Sequence, residues 1–409
     1  MTNQRMVVAV IFIVAAALRV SAGEVGPGIH RGIKCKAAPQ YTYDVCVPRA
    51  YAEETGRRFP VLFISSPGGN PGFMGTENWA DENSVLLVTI NDTENNQEFS
   101  QWDEIQTAVM DSVETSLRLH PCLRFSMGFS GGGMASMRLA RRYGEKFAGV
   151  VMLGHSGNGE DRGLPKHITV AFVHGENDRT HSIGSVESVF KKLKSRGHIV
   201  RKIVGDWGHE TGAVEHRLLL LSWMLDLSRL VHPLLSEDER AEARREIKRR
   251  VEALPNTPDA AQRLKNAEGL LELPDSEKWP EIQALYAAWF SAKYDLASAN
   301  TDIVDRHEAL NALFNDERTR KCAAADQKRL AAELSDMRKK QPVKTEWAAR
   351  QMYDQIAAFE AKAGQNKTKL LQAAQSYAAL ARSYPDTRAG KKAAEDARRL
   401  GEALGIPVQ

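Results

Sequence analysis

Between residues 60 and 230 the sequence alternates short apolar runs with segments of helical period. No other feature limits the fold so strongly. Runs at 60–65, 85–90, 123–129, 148–153, 168–173 and 199–204 have the length and apolarity of strands buried on both faces. Between and after them, residues 102–119, 134–143, 183–195 and 213–230 read as helices. The first of these carries Ile105, Val109, Val113 and Leu117 at three-to-four spacing. Strand and helix alternating over this length predict an α/β architecture with a doubly wound, mostly parallel sheet. Ligands in such sheets bind at the carboxyl ends of the strands, so the loops there are where chemistry is expected.

The loop after the run at 123–129 is the most informative. It reads Gly128-Phe129-Ser130-Gly131-Gly132-Gly133, a G-x-S-x-G motif with a strand before it and a helix after it. A serine on so tight a turn takes a strained backbone, and small neighbours let the chain pass. Taken alone, the motif is also compatible with an ordinary glycine-rich turn. Its context adds more. His174-Gly175-Glu176-Asn177-Asp178 follows the run at 168–173, and Gly205-Asp206-Trp207-Gly208-His209 follows the run at 199–204. Nucleophile, acid and base therefore occur in the order Ser130, Asp178, His209, each just past a parallel strand, so their loops open on one sheet edge. Asp206 is an alternative acid. Gly154-His155-Ser156-Gly157 resembles half of a second serine turn but reads better as a pocket-lining loop. His120 and His167 fall on the opposite edge of the sheet, and His216 is expected on a helix surface.

These residues carry a family resemblance over roughly half the chain, from about residue 41 to 230. The segment resembles the α/β-hydrolase superfamily, and within it secreted esterases of the polyhydroxybutyrate depolymerase, feruloyl esterase and dienelactone hydrolase kind. The resemblance implies Ser130 as nucleophile, His209 as general base and then acid, and Asp178 as the group that orients His209. It further implies an oxyanion hole built from the Gly131 amide and the loop after the run at 60–65. That loop reads Ser65-Ser66-Pro67-Gly68-Gly69, where these esterases usually carry His-Gly. Pro67 has no N–H, so the second donor is expected from Gly68 or Gly69. The implied activity is carboxylic-ester hydrolysis through an acyl-enzyme. A prolyl-oligopeptidase-like peptidase shares the order of the three residues, and a weakly active hydrolase fold serving as a scaffold is the alternative outside enzymology. No cofactor is expected: the sequence lacks H-E-x-x-H, C-x-x-C and a phosphate-loop ending.

An apolar run from Met6 to Leu18 behind Arg5, followed by Val20-Ser21-Ala22, reads as a signal peptide of residues 1–22. The expectation is an exported protein, periplasmic or extracellular, with no membrane span after cleavage. In an oxidising compartment Cys35 and Cys46 are candidates for a bridge across an entry hairpin. The hydrolase domain is expected over 23–232 and an all-α domain over 233–409. Of the 30 glycines, 25 precede Leu234, while Ala, Glu, Lys and Arg dominate beyond it. Ser236 and Glu239 have capping-box spacing. Trp279, Ile282, Leu285, Tyr286, Trp289, Phe290 and Tyr294 form a stripe read as helical core. Ala373, Tyr377 and Pro385 match part of a tetratricopeptide pattern. The tail is a candidate surface for a protein or polymer partner. A net charge of +3 gives no reason to expect nucleic acid.

Overall fold

A computed structural model describes residues 25–157, 159–273 and 276–406. The signal-peptide reading therefore lies outside the described residues. The chain divides into two compact units, residues 1–243 and 244–409.

The first unit is built on one eight-stranded sheet. Its strands are β1 (Gly28–Lys34), β2 (Thr42–Val47), β3 (Phe59–Ser65), β4 (Leu86–Thr89), β5 (Leu119–Phe129), β6 (Phe147–Leu153), β7 (Thr169–Gly175) and β8 (Val200–Gly205). They lie in the order β1-β2-β4-β3-β5-β6-β7-β8. The β1–β2 and β2–β4 pairs are antiparallel, and every pair from β4 to β8 is parallel. This is the mostly parallel sheet that the alternating pattern predicted. Its helices are α1 (Ala50–Glu53), α2 (Glu77–Glu82), α3 (Phe99–Ser116), α4 (Gly131–Arg142), α5 (Ile183–Ser195) and α6 (Val214–Val231). β3, β6 and β7 are buried at every position, which is why they read as continuous apolar runs. Phe63 and Phe147 pack ring to ring at 5.8 Å inside this core, alongside Ile105, Val109 and Val113 of α3.

The entry hairpin corrects one expectation. Cys35 and Cys46 are free thiols. β1 and β2 pair Cys46 with Ile29, whereas Lys34 pairs with Thr42 and the Cys35 amide bonds to Tyr41. The two cysteines thus sit five positions apart along the ladder, about 17 Å at strand rise, beyond the reach of an S–S bond. Burial, and then Glu77 and Asp81, push the Cys46 thiol up to about 11.

α7 (Glu237–Ala253) carries the chain out of the first unit. The capping box at its head forms: Ser236 N–H donates to Glu239 Oε2 at 2.7 Å, and Glu239 N–H donates to Ser236 Oγ at 3.2 Å. The second unit is helical, with α8 (Ala260–Leu271), α9 (Ile282–Ser298), α10 (Ile303–Asn315), α11 (Ala324–Met337), α12 (Val343–Ala363), α13 (Lys367–Ser383) and α14 (Arg388–Leu404). The aromatic stripe is core, as read: Leu285, Tyr286, Trp289 and Phe290 of α9 are buried. Farther along, Ala373 and Tyr377 of α13 pack with Ala389, Ala393, Ala397 and Leu400 of α14. A Cβ on Gly390 would lie 1.8 Å from the Tyr384 carbonyl oxygen, so only glycine lets α14 start this close to the end of α13.

Phe147→Ala should lower unfolding free energy by about 3–5 kcal/mol, because the ring is fully buried against Phe63. Urea denaturation of the full chain checks this; a loss under about 1 kcal/mol would mean the sheet core is looser than described.

Candidate active site

The site begins with a backbone constraint. β5 ends at Phe129 and α4 begins at Gly131, leaving Ser130 alone to turn the chain. Its φ of 52° and ψ of −124° lie outside the ordinary regions for a residue with a Cβ. The turn closes only because its neighbours lack side chains. A Cβ on Gly128 would lie 2.1 Å from the Gly132 carbonyl oxygen, and one on Gly132 would lie 2.4 Å from the Ser65 carbonyl oxygen. Ser130 N–H donates to Leu153 O at 2.8 Å, pinning the turn to β6. Gly131 is the first residue of α4, and its amide has no carbonyl within the helix to donate to.

Asp178 and His209 come from the loops after β7 and β8, which are tied together. Asn177 N–H donates to Trp207 O at 3.0 Å, and Glu176 N–H donates to Gly205 O at 2.9 Å. A Cβ on Gly175 would lie 2.1 Å from the Trp207 carbonyl oxygen, so this approach also needs glycine. The result brings the three candidate side chains into one line. His209 Nδ1 is 2.8 Å from Asp178 Oδ2, and His209 Nε2 is 3.0 Å from Ser130 Oγ. Asp206, the alternative acid, instead accepts a bond from Asn177 Nδ2 at 2.5 Å.

Asp178 is fully engaged. Its Oδ1 accepts the N–H groups of Thr180 at 2.8 Å and His181 at 2.9 Å. Burial alone would raise this carboxyl. The N–H of His181, the His209 ring and the N–H of Thr180 outweigh burial and hold it below the usual carboxylate range. A carboxylate with its second oxygen so occupied presents one oxygen to His209, which fixes the Nδ1–H tautomer and leaves Nε2 to face the serine as an acceptor.

Other rings hold His209 in place. Phe129 lies 4.9 Å away and His181 5.5 Å away, centroid to centroid, and a Cβ on Gly154 would reach within 3.4 Å of His209 Cε1. His181 in turn meets His155 edge-on at 4.3 Å. Burial, then His181 and His209, push His155 down to about 4. Its Nδ1 accepts the Gly157 N–H at 2.8 Å, so it sits as a neutral ring. His174, wholly buried, bonds to His181 O at 2.7 Å and stands 3.7 Å from Asp178 Oδ2. The sequence reading named His155 only as loop and gave His181 no part. Neither belongs to a motif, and both join the site only through the fold of their loops. His216, half-buried on α6, stacks on Trp207 at 5.1 Å. His120, on the far edge, pairs with Glu239 at 3.1 Å.

The glycine loop after β3 reaches the serine turn at Ser66, whose Cα would be 2.6 Å from a Cβ on Gly132. Pro67 then gives up its carbonyl to Asn95 N–H at 2.7 Å, and Gly68 bridges to Glu94. Gly69, at φ 68°, is pressed against the Asn91 carbonyl. Among the described residues no three His, Cys, Asp or Glu side chains gather as a metal-ligand set, and no helix is long and apolar enough to cross a membrane.

No family model matches the chain, and no curated protein matches it. Solved structures do resemble it. A ferulic acid esterase is similar at 14% identity, covering 49% of this chain and 96% of its own, with a TM-score of 0.39. The S-formylglutathione hydrolase of Staphylococcus aureus is similar at 15% identity over 50% of this chain and 99% of its own, with a TM-score of 0.39. The carboxylesterase of Bacillus cereus is similar at 13% identity over 46% of this chain and 95% of its own, with a TM-score of 0.36.

The buried neutral imidazoles predict an acid-sensitive fold. His155 and His232 are both pushed down to about 4 from an ordinary value of 6.5. Their neutral forms stabilise the fold fully above pH 6.5. That contribution falls as the unfolded chain takes up protons below 6.5 and is gone by the folded value near 4. Each ring should contribute up to about 1.4 kcal/mol per pH unit within that window. His155→Asn should flatten the fall in melting temperature between pH 6.5 and 4; an unchanged slope would mean that His155 titrates normally.

Proposed function

We propose that this protein is a serine hydrolase acting on carboxylic esters through an acyl-enzyme on Ser130. The observation that carries the reading is the single chain of contacts Asp178–His209–Ser130, set on a serine whose backbone is held at positive φ. In this mechanism His209 Nε2 removes the Ser130 proton as Oγ attacks the ester carbonyl carbon. Asp178 keeps the ring oriented and stabilises the imidazolium that forms, a task suited to a carboxylate held firmly ionised. The tetrahedral oxyanion is received at the start of α4, where the Gly131 amide has no helical partner, with the 66–69 loop opposite. His209 then gives its proton to the departing alkoxide. A water molecule, deprotonated by the same ring, releases the acyl group and restores Ser130.

The apolar run at Met6–Leu18 with Val20-Ser21-Ala22 supports an exported enzyme, and the second unit is the part available for a protein or polymer partner. Gly68 and Gly69 are the sequence's candidates for the loop donor. Ser66 joins them as a candidate in this reading, because a Cβ on Gly132 would lie 2.6 Å from its Cα.

A fluorophosphonate probe should label the folded wild-type protein at Ser130, and Ser130→Ala should abolish labelling. Hydrolysis of p-nitrophenyl acetate should fall in the same variant by roughly 10⁴-fold, to background. An unlabelled wild-type protein, or a variant that still turns over, would overturn the assignment.

A further inference from the structure

We propose that Asn95 is a catalytic residue of this site, donating its side-chain N–H to the oxyanion. The inference rests on the serine-hydrolase reading and adds to it a group outside every motif.

A Cβ built on Gly131 would lie 1.9 Å from Asn95 Oδ1 and 3.7 Å from Asn95 Nδ2. The carboxamide thus occupies the space that a side chain at position 131 would fill, directly beside the residue whose amide faces the reacting carbonyl. No hydrogen bond within the described residues holds either end of that carboxamide. A half-turn about its Cβ–Cγ bond exchanges oxygen for nitrogen without breaking any bond, so the N–H can turn toward an anion as one forms.

The backbone beneath it is fixed. Asn95 N–H donates to Pro67 O at 2.7 Å, which welds this residue to the glycine loop. Glu94 N–H donates to Gln97 Oε1 at 2.9 Å, and Gln97 Nε2 donates to Asp92 O at 2.9 Å. Trp102 Nε1 donates to Glu94 O at 2.9 Å, anchoring the segment to α3. One loop residue, Pro67, lacks an N–H, and its carbonyl is the atom that positions Asn95. With the backbone set in advance, the adjustment asked of this donor is the half-turn of its carboxamide, and its N–H is worth most where charge develops.

The chemistry balances. As the Ser130 Oγ–carbon bond forms, the carbonyl π pair moves onto oxygen, which then accepts the Gly131 and Asn95 N–H groups. When the pair returns, the ester C–O bond breaks and the alkoxide takes the proton from His209. Asn95 exchanges no proton and ends unchanged.

The experiment measures p-nitrophenyl acetate kinetics, affinity for a phenylboronic acid that forms a tetrahedral adduct with the serine, and thermal melting. It compares the full-length wild type with Asn95→Ala and Asn95→Leu. Leucine keeps the branched shape of asparagine, atom for heavy atom, but has no donor. Both variants should lose about 100-fold in kcat with KM within threefold, and should bind the boronic acid at least tenfold more weakly. Melting temperature should be unchanged, since the side chain is exposed. Retention of kcat and boronate affinity within threefold in either variant would overturn the proposal, because a packing role survives in leucine and a donor role does not. Failure of the underlying reading looks different: the wild type itself would neither turn over nor take the fluorophosphonate label, and the assignment of Asn95 would fall with it.

Discussion

Everything in the site follows from one residue held where a side chain does not ordinarily go. Ser130 sits at positive φ between a buried strand and the first turn of α4, and that conformation costs about 1–3 kcal/mol. The surrounding backbone over-determines it. Gly128 and Gly132 touch across the turn, Gly132 touches Ser65, and the Ser130 amide is bonded to Leu153. Three parallel strands, β3, β5 and β6, therefore converge on one hydroxyl. β3 and β6 are buried throughout and β5 everywhere but Pro121 and Phe129, and this burial supplies the rigidity that keeps the turn from relaxing.

The histidine is held by different means. His209 lies in a loop, and its position depends on cross-bonds from the neighbouring loop and on rings packed around it. Phe129 and His181 flank the imidazole, and the bare Cα of Gly154 lets β6 approach its edge. Arg217, buried and donating to the carbonyls of Thr211, Gly212 and Met74, ties down the segment that follows. Burial lowers the guanidinium's basicity, yet it remains charged and donates to these carbonyl dipoles.

The sheet and the meeting of Ser130, Asp178 and His209 were legible because both depend on order along the chain. In a parallel sheet every strand ends on the same edge, so a serine, an acid and a histidine that each follow a strand are brought near one another by topology. The Cys35–Cys46 pairing was not legible, since strand register decides it and eleven residues of sequence do not disclose register. Asn95 escaped notice for a related reason. It belongs to no motif and reaches Gly131 only because the loops after β3 and β4 zip together through the Pro67 carbonyl. His181 stands three residues past Asp178, and nothing in its neighbours says that its ring will face His209. The helical stripe of α9 was readable from its period, whereas the close start of α14 against α13 depends on the single contact of Gly390 with Tyr384.

β8 is the last strand of the sheet, and every one of its residues is only half-buried. Arg201 and Lys202 sit on it, and charged residues on an edge discourage pairing with another chain. The same exposure makes it the strand most easily released by local fluctuation. His209 is carried on the loop that leaves this strand, while Ser130 is seated deep in the centre. Warming should accordingly undo the two partners at different temperatures. The imidazole would drift from the hydroxyl while the inner strands still hold, so the Ser130–His209 contact has a ceiling set by the sheet's edge and the fold a ceiling set by its middle.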